Sequence, residues 1–411
     1  MVGGNGTVEL MEKLGLAFPT NEVSVGNGEE LYIVPYVHIF PLDIHVLDPT
    51  KPPSKKRRCL RLVTDLHPTI LCQTTVGEEG IGAVMYIGPD SLALVQHLPL
   101  EVHVNFLQRK KKLGTSRFHI LDLCSGSGIQ ALATLVALDE CFPRSEALCV
   151  DINERALRFT HFNAVLNNID PKRLDMLNAD IMDINSSKES QDQFYASMNG
   201  RRFDIILSNP PFIPVPQSSS FSTLGPDIVS VIQRRYGLFS SGGASGDIIL
   251  GSVIKLSSRF LKEDGGLLAV VSEFMNPPVA RDSEKLDDND DSFELLTQIK
   301  SWWESGIACH GILFTNQYPL DAYEYSRRRA SNEAEYMSWY NNLESSKIKS
   351  VSPGLLFLLT QNVLRQTLPV ISIESQIIRK TEMGSIWTPY NKKAVTATRE
   401  AWLRFCEAIY C

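Results

Sequence analysis

Short apolar runs alternate with longer segments of helical spacing along most of this 411-residue chain. Seven runs have the length and residue content of buried strands: Phe118–Leu123, Ala147–Val150, Leu174–Leu177, Phe203–Ser208, Leu267–Ser272, Ala308–Thr315 and Gly354–Thr360. An Ala/Leu-rich helix, Ile129–Leu138, is predicted directly after the first of them, and apolar residues recur at helical spacing between the fourth and the fifth. Strands that alternate with helices predict an α/β fold.

Residues 1–80 depart from this alternation and predict a small β-rich region. Its candidate strands are Leu31–Val34, Val37–Phe40, Leu60–Val63 and Thr69–Cys72, and a proline-containing break, Pro49–Ser54, interrupts them.

The remainder divides into a main domain and a tail. We expect residues 81–365 to form the main domain, with an acidic insertion at about 279–295 that is predicted to be disordered and a helical insertion at about 320–345. The helix of the second insertion is predicted over Ala330–Leu343. Residues 366–411 are expected to form a C-terminal extension that ends in a helix from Lys392 to Ile409.

The most informative stretch is Asp204–Phe212, in which an apolar strand runs into Asn209-Pro210-Pro211-Phe212. Each proline ring fixes φ, and the residue before each proline is biased towards extended geometry, so the turn is rigid. The Asn209 side chain and the Pro210 carbonyl then offer two fixed acceptors beside an aromatic face. This arrangement suits a planar group that carries an NH₂, such as an amide or an adenine amine, although a plain proline-rich strand exit has the same residues.

A glycine-containing turn, Cys124-Ser125-Gly126-Ser127-Gly128, joins the first predicted strand to its helix. Its glycines let the backbone approach a ligand closely, and the helix N-terminus supplies free N–H groups. Asp151 ends the next strand, where a carboxylate can bind both hydroxyls of a ribose. Asp180 follows the third strand and can accept a hydrogen bond from an adenine amine.

Two cofactors compete for this pattern. A dinucleotide site typically has three spaced glycines that hold a pyrophosphate at the helix N-terminus, and here the third position is Ala131. S-adenosylmethionine has a ribose and an adenine but no phosphate. The carboxylate of Asp122 would repel a pyrophosphate, whereas it can help hold, through water, the positively charged amino end of the methionine moiety. The residues therefore favour S-adenosylmethionine.

With these motifs in this order, the chain resembles the class I S-adenosylmethionine-dependent N-methyltransferases. It is more closely similar to the release-factor glutamine N5-methyltransferases and their uncharacterised relatives. The matching residues are Ile120–Gly128, Asp151-Ile152-Asn153 with Ala156-Leu157, Asn178-Ala179-Asp180 and Asn209-Pro210-Pro211-Phe212. The resemblance runs from about Tyr86 to Thr360 and implies a seven-stranded Rossmann-like sheet with helices on both faces.

The residues and the resemblance together predict a set of site residues. Cofactor binding is expected from Asp122, Cys124, Ser125, Gly126, Gly128, Asp151, Ile152, Asp180 and Asn209. A catalytic role is expected for Asn209, Pro210 and Phe212, and substrate binding for Asn209, Pro211 and Phe212. Two positions depart from the family: Cys124 replaces the first glycine of the turn, and Phe212 replaces a tyrosine, which keeps a stacking face and loses a hydroxyl.

Flanking segments add to the expected site. In the family, a segment like Met85–Leu94 lies over the cofactor; the alternative is an ordinary turn followed by a helix N-cap at Asp90 or Ser91. Gly242–Asp247 resembles the segment that flanks the substrate pocket, and the long loop Ile213–Leu238 is expected to recognise the substrate. Asn276-Pro277-Pro278-Val279 repeats the Asn-Pro-Pro sequence without the aromatic residue, so we interpret it as a proline stop.

Composition bears on the substrate and the surroundings. The net charge of −7 favours a protein substrate over RNA or DNA, which stay possible, and the short basic runs at 55–58, 109–112 and 327–329 are interpreted as solvated faces. The resemblance implies that such a protein presents an accessible glutamine. No apolar run approaches the roughly 18 residues of a membrane span. The eight cysteines show no metal-binding spacing and are expected to be free thiols in a reducing compartment.

The acidic N-terminal region resembles neither a signal peptide nor a transit peptide, so an intracellular, cytoplasmic location is expected, with the nucleus and organelles left open. The sequence does not indicate an oligomeric state. Three functions remain open: a protein glutamine N5-methyltransferase, an RNA or DNA methyltransferase that acts on an exocyclic amine of adenine or guanine, and a non-catalytic scaffold that uses the same fold.

Overall fold

A computed structural model describes residues 17–19, 33–35, 37–48, 56–65, 84–109, 117–217, 232, 240–278, 292–361, 371–378 and 385–410. Several predictions lie outside these residues: the strand Thr69–Cys72, the break Pro49–Ser54, most of the loop Ile213–Leu238 and residues 279–291 of the acidic insertion. Among the described residues, no helix is both long enough and apolar enough to cross a membrane.

The described elements follow one another in the order expected of an α/β fold. The strands are β1 Ala17–Pro19, β2 Ile33–Pro35, β3 Val37–His45, β4 Arg57–Asp65, β5 His119–Leu123, β6 Glu146–Asp151, β7 Leu174–Asn178, β8 Ile205–Ser208, β9 Leu267–Met275, β10 Ala308–Asn316, β11 Leu320–Asp321, β12 Ser350–Gln361 and β13 Ile371–Ile378. The helices are α1 Pro89–His97, α2 Leu100–Arg109, α3 Ile129–Leu138, α4 Glu154–Leu166, α5 Ile181–Asn185, α6 Lys188–Ser197, α7 Ile248–Phe260, α8 Ser292–Trp302, α9 Ala322–Arg329, α10 Glu333–Ser345 and α11 Lys392–Tyr410.

The central sheet has the strand order β13-β10-β12-β9-β8-β5-β6-β7, with β11 paired to β12. Neighbouring strands are parallel from β9 to β7, whereas β12 runs antiparallel to both β9 and β10. The chain builds outwards from β5 to β7 and then returns to place β8 on the other side of β5. In open α/β sheets, ligands bind at such a reversal, outside the carboxyl ends of the strands.

The seven predicted strands are all present, and the mixed α/β sheet is confirmed. The sheet is larger than expected, because β11 and β13 join it and β13 lies parallel to β10. The strand predicted to end at Ser272 continues to Met275, since β12 is long enough to pair with it as far as Val351. The acidic insertion was predicted to extend to about residue 295, but it ends earlier, because α8 begins at Ser292.

Helices cover both faces of this sheet, as the sequence predicted. On one face, buried apolar residues of α1, α2, α3 and α11 pack against β5 and β9, and on the other, those of α7 and α8 pack against β8 and β12. Trp402 of α11 is fully buried in the first cluster and stacks on Phe405. The C-terminal helix is therefore part of the core of the described fold.

The N-terminal strands β3 and β4 form a separate antiparallel hairpin that lies against α3 and α4. Asn163 of α4 accepts from the Val63 main-chain N–H at 2.7 Å and donates to the Val63 carbonyl at 3.0 Å. Asn167, one helical turn later, makes the same pair of bonds with Arg61, at 2.8 and 2.7 Å. Residues four apart share one face of a helix, so the two asparagines match alternate residues of a strand.

Candidate active site

A cleft opens at the carboxyl ends of β5, β6, β7 and β8. It is lined by side chains and backbone from Val84–Ile87, Ser91, Cys124–Ser127, Ile129, Gln130, Val150–Asn153, Ala156, Ala179–Met182, Asn209, Pro211, Ser241 and Ile249. Most of the predicted site residues meet here, although they come from four different strand ends. Asp122, Gly128, Pro210 and Phe212 are not among the lining residues.

The turn after β5 has the backbone shape that its glycines predict. Gly126 and Gly128 have φ of 54° and 81°, and a Cβ on Gly128 would meet the Thr160 side chain at 2.7 Å. Cys124 also has a positive φ, 59°, a conformation that costs a non-glycine residue about 1–2 kcal/mol. Burial, reinforced by nearby carboxylates, raises the pKa of its thiol well above the usual value, so the thiol is neutral.

Asp151 ties the end of β6 to this turn. Its Oδ2 accepts from the Gly126 main-chain N–H and its Oδ1 from that of Asn153, both at 2.8 Å. Burial raises the pKa of this carboxyl, and the two backbone donors partly offset the effect. Each carboxylate oxygen has a second lone pair, which leaves acceptor capacity on the cleft side for a pair of hydroxyls.

Asp122 and Asp180 occupy different depths. Asp122 is fully buried beneath the turn, its Oδ2 accepts from the Ala131 main-chain N–H at 3.0 Å, and burial raises its pKa to about 8. Asp180 lines the cleft and caps α5, where it accepts from the Met182 N–H at 2.8 Å. Asp180 therefore lines the cleft, whereas Asp122 is buried and does not line it.

Several buried polar atoms around the cleft have no hydrogen-bond partner among the described residues. They are Asp122 Oδ1, Ser125 Oγ, Gln130 Nε2 and Asn209 Oδ1. Buried polar groups are normally paired, so a cluster of unpaired ones marks a place that a polar ligand completes. None of the described residues that line the cleft is a lysine or an arginine, which suits a cation such as a sulfonium and disfavours a pyrophosphate.

Asn209 follows β8 at the inner end of the cleft. Its Nδ2 donates to Asp90 Oδ2 at 2.9 Å and to Ser91 Oγ at 3.0 Å. Its buried Oδ1 has no partner within the described structure. Asn276, in the repeated Asn-Pro-Pro sequence, differs because its Nδ2 donates to the Lys347 carbonyl and its Oδ1 accepts from the Lys349 N–H. Of these two asparagines, Asn209 is the one that retains an acceptor for a ligand.

Residues 102–223, which carry the turn, Asp151, Asp180 and Asn209, match the family described as the methyltransferase small domain. The chain contains a class I S-adenosylmethionine-dependent methyltransferase domain. The carboxylates that line the cleft and the unpaired atoms of Ser125 and Gln130 at the glycine turn fit this cofactor chemically.

Curated relatives are release factor glutamine methyltransferases. The protein of that name from Streptomyces coelicolor is 33% identical over 98 residues, which cover 24% of this chain and 28% of the relative. The one from Clostridium botulinum is 30% identical over 152 residues, which cover 36% of this chain and 45% of the relative. The chain thus spans less than half the length of either relative.

A solved structure also resembles this chain, at lower sequence identity. A type I restriction-modification system methyltransferase subunit from Streptococcus thermophilus is 14% identical, with a TM-score of 0.39, over 79% of this chain and 53% of that chain.

Phe212 of the methyltransferase domain lies deeper than predicted. Its side chain is 9% exposed, and its ring centroid lies 5.5 Å from that of Trp387, at an interplanar angle of 53°. The glycine segment packs directly beside it, since a Cβ on Gly246 would lie 2.8 Å from the Phe212 carbonyl oxygen. Asn342 of α10 donates to the Pro214 and Ala244 carbonyls, both at 2.9 Å, and so joins the helical insertion to both segments.

The segment Met85–Leu94 was expected to lie over the cofactor, and its residues Tyr86 and Ser91 line the cleft, whereas the sequence reasoning missed Gln130. Gln130 carried a usable signal, because it is a polar residue in the first turn of an Ala/Leu-rich helix. The predicted cap at Asp90 or Ser91 was wrong, since Gly88 is the N-cap and α1 begins at Pro89. Asp90 therefore lies in the first turn of α1, where its carboxylate reaches Asn209.

Proposed function

We propose that this chain transfers a methyl group from S-adenosylmethionine to a planar NH₂ nitrogen, and that its acceptor is the side-chain amide of a protein glutamine, at N5. The observation that carries the proposal is the state of Asn209. Its Nδ2 is held by Asp90 and Ser91, while its buried Oδ1 has no partner among the residues described. An unpaired, oriented amide oxygen beside the cofactor cleft is an acceptor for the N–H of a substrate.

The residues of this chain contribute mainly placement and electrostatics. S-adenosylmethionine supplies an electrophilic methyl group on a positively charged sulfur. The lone pair of an amide nitrogen is delocalised, so holding the NH₂ by Asn209 Oδ1 and the Pro210 carbonyl turns that lone pair towards the methyl carbon. The same acceptors stabilise positive charge as it develops on nitrogen.

The bonds and charges of the transfer balance without a further reactant. The nitrogen lone pair forms the new N–C bond while the S–C bond breaks and leaves its electron pair on sulfur. The nitrogen then gives up one proton to solvent, since a methylated amide cation is a strong acid. No strong general base is needed for this step.

Two features support a glutamine amide over a nucleobase. The ring of Phe212 is packed against Trp387 and is 9% exposed, so it offers little face for a base to stack on. The described lining of the cleft combines carboxylates with apolar side chains and holds no basic side chain, whereas nucleic-acid sites usually carry lysines and arginines for phosphates.

The proposal is tested by methyl transfer from radiolabelled S-adenosylmethionine into a cell extract that is then separated into protein and nucleic acid. We expect label in protein, retained after nuclease treatment and lost with Asn209→Ala. Peptide mass spectrometry should place the added methyl group on glutamine. Asn276→Ala is the matched control, because it removes the corresponding amide of the second Asn-Pro-Pro sequence and should leave transfer intact.

Nuclease-sensitive label would contradict the glutamine proposal and favour an exocyclic base amine. Label in protein that persists with Asn209→Ala would contradict the assigned role of that residue. Cofactor binding without transfer to any fraction would favour the scaffold.

A further inference from the structure

Asp90 lies next to Asn209 although the two residues are 119 positions apart in the sequence. Its side chain is 3% exposed, in the first turn of α1, and it accepts the Asn209 Nδ2 hydrogen bond at 2.9 Å. The neighbouring Ser91 Oγ accepts from the same nitrogen at 3.0 Å. Both hydrogens of the Asn209 NH₂ are thus directed towards the start of α1.

The chemistry of a carboxylate makes this contact directional. An ionised Asp accepts hydrogen bonds and cannot donate them, whereas an amide can present either its oxygen or its NH₂. Asn209 must therefore turn its NH₂ towards Asp90, which leaves Oδ1 facing away from α1. Burial raises the pKa of the Asp90 carboxyl, whereas the hydrogen bonds from the Asn209 NH₂ and from the backbone N–H groups of Ser91 and Asp90 lower it. These donors, together with the helix N-terminus, favour the ionised form that can only accept.

The charged and titratable groups around Asp90 come from three other segments. Tyr86 precedes it and lines the cleft, and Glu273 of β9 acts on it as a second negative charge. Glu273 is itself paired with Arg329 of α9, whose Nη2 lies 2.9 Å from both carboxylate oxygens, and with the hydroxyl of Tyr325 at 2.6 Å. The charge of Glu273 is thus offset, and Asp90 remains the carboxylate in contact with Asn209.

We propose that Asp90 is a positioning residue for methyl transfer: its carboxylate fixes the orientation of the Asn209 amide so that Oδ1 is presented to the NH₂ of the substrate. This inference rests on the proposed function, because it assigns the acceptor amide its orientation. Asp90 touches neither the cofactor nor the reacting nitrogen in this role and acts through Asn209.

The test is Asp90→Asn, which keeps the shape of the side chain and removes a group that only accepts hydrogen bonds. An amide at position 90 can donate to Asn209 Oδ1 as readily as it can accept from Nδ2, so both orientations become populated. The acceptor is the fraction of extract protein that the wild-type chain methylates, taken before labelling. With this acceptor and saturating S-adenosylmethionine, we expect the rate of methyl transfer to fall by roughly ten- to a hundredfold. The dissociation constant of S-adenosylmethionine, measured by calorimetry, should stay within about twofold of the wild type.

A second readout does not require methyl transfer. The side-chain ¹⁵N–¹H₂ signals of Asn209, assigned by their loss in Asn209→Ala, should shift or broaden in Asp90→Asn. Unchanged Asn209 signals, an unchanged transfer rate, or a loss of cofactor affinity as large as the loss of rate would each overturn the inference.

Asp204→Asn is the matched control for burial. Asp204 is also a buried carboxylate, 6% exposed, but it precedes β8 and binds Lys262 and the His119 N–H at the far end of that strand. This substitution should lower stability and leave the rate per folded molecule unchanged. If the label were nuclease-sensitive, the proposed function would fail, while the Asn209 signals in Asp90→Asn would still decide whether Asp90 sets the amide orientation.

Discussion

Asp65 and Arg155 form a buried, two-pronged ion pair that joins the N-terminal hairpin to the helix behind the cofactor cleft. Their side chains are 4% and 8% exposed, Arg155 Nη2 donates to Asp65 Oδ1 at 2.6 Å, and Nη1 donates to Oδ2. Asp65 Oδ2 also accepts from the Val84 main-chain N–H at 2.7 Å. Val84 opens the segment over the cleft, so one carboxylate holds both the hairpin and a wall of the cofactor site.

Removing this carboxylate should weaken both the fold and cofactor binding. Asp65→Ala removes the carboxylate that offsets the charge of the buried Arg155 guanidinium, and we expect the free energy of unfolding to fall by about 3–5 kcal/mol in urea titrations. Cofactor affinity of the folded fraction should fall as well, because Val84 loses its anchor. Glu140→Ala, which breaks the exposed pair with Lys56, should change stability by less than about 1 kcal/mol.

Cys124→Gly should stabilise the protein slightly. The left-handed backbone at this position, with φ of 59°, strains a cysteine, and glycine relieves the strain at some cost in unfolded-chain entropy. We expect a net gain of up to about 1 kcal/mol in thermal or urea unfolding, with cofactor affinity unchanged or higher. The same substitution at Cys149, a fully buried strand residue, should destabilise the protein instead. A loss of stability at position 124 would mean that the thiol packs usefully against the turn.

Gly246→Ala should impair methyl transfer more than it impairs cofactor binding. The new Cβ would lie 2.8 Å from the Phe212 carbonyl oxygen and 2.7 Å from the Met275 side chain, at a residue whose φ is 79°. We expect at least a roughly tenfold loss in the rate of methyl transfer, with a smaller change in the dissociation constant of S-adenosylmethionine. Gly306→Ala, where nothing lies within 4 Å of the added carbon, is the control and should have no effect on the rate.

Asp122 should make the stability of the cofactor-free protein depend on pH. Burial raises the pKa of this carboxyl from 3.8 to about 8, so the folded protein binds the proton more tightly than the unfolded chain does. Its contribution to stability is then fully present below pH 3.8 and is lost as the pH rises through about 8. Asp122→Asn should reduce the fall in unfolding free energy between about pH 5 and pH 8, as measured by urea titration.

Asp43→Asn, at an exposed position of β3, is the control for this pH experiment and should leave the slope unchanged. An equal slope in Asp122→Asn and the wild type would show that other carboxylates, such as Asp90 and Asp151, account for the pH dependence.

The central fold was predictable from the sequence because its signals are local. Ile129–Leu138 is a helix with the bounds that its composition indicates, and each of the seven strands predicted for the main sheet overlaps an observed one. The glycine turn and the acids at strand ends could also be located, since parallel strands bring their carboxyl ends to one edge. Knowing that edge was enough to bring Cys124, Asp151, Asp180 and Asn209 together.

Contacts between distant segments could not be predicted in this way. The Asp90–Asn209 bond depends on how α1 crosses the sheet, and the covering of Phe212 by Trp387 depends on the path of the C-terminal segment. Arg329 shows the same limit: its basic run was interpreted as solvated, yet its side chain is 18% exposed and binds Glu273. Charge along the sequence does not reveal which member of a run turns inwards.

Asn163 of α4 and Asn167 at its C-cap also limit where the hairpin can pair with a further strand. The edge of a β-strand normally exposes N–H and C=O groups that can recruit another strand, from the same protein or a different one. On the α4 side of β4, the N–H and C=O groups of Arg61 and Val63 are already bonded to Asn167 and Asn163. A helix therefore closes this edge, and any chain that adds a strand to the protein must do so elsewhere.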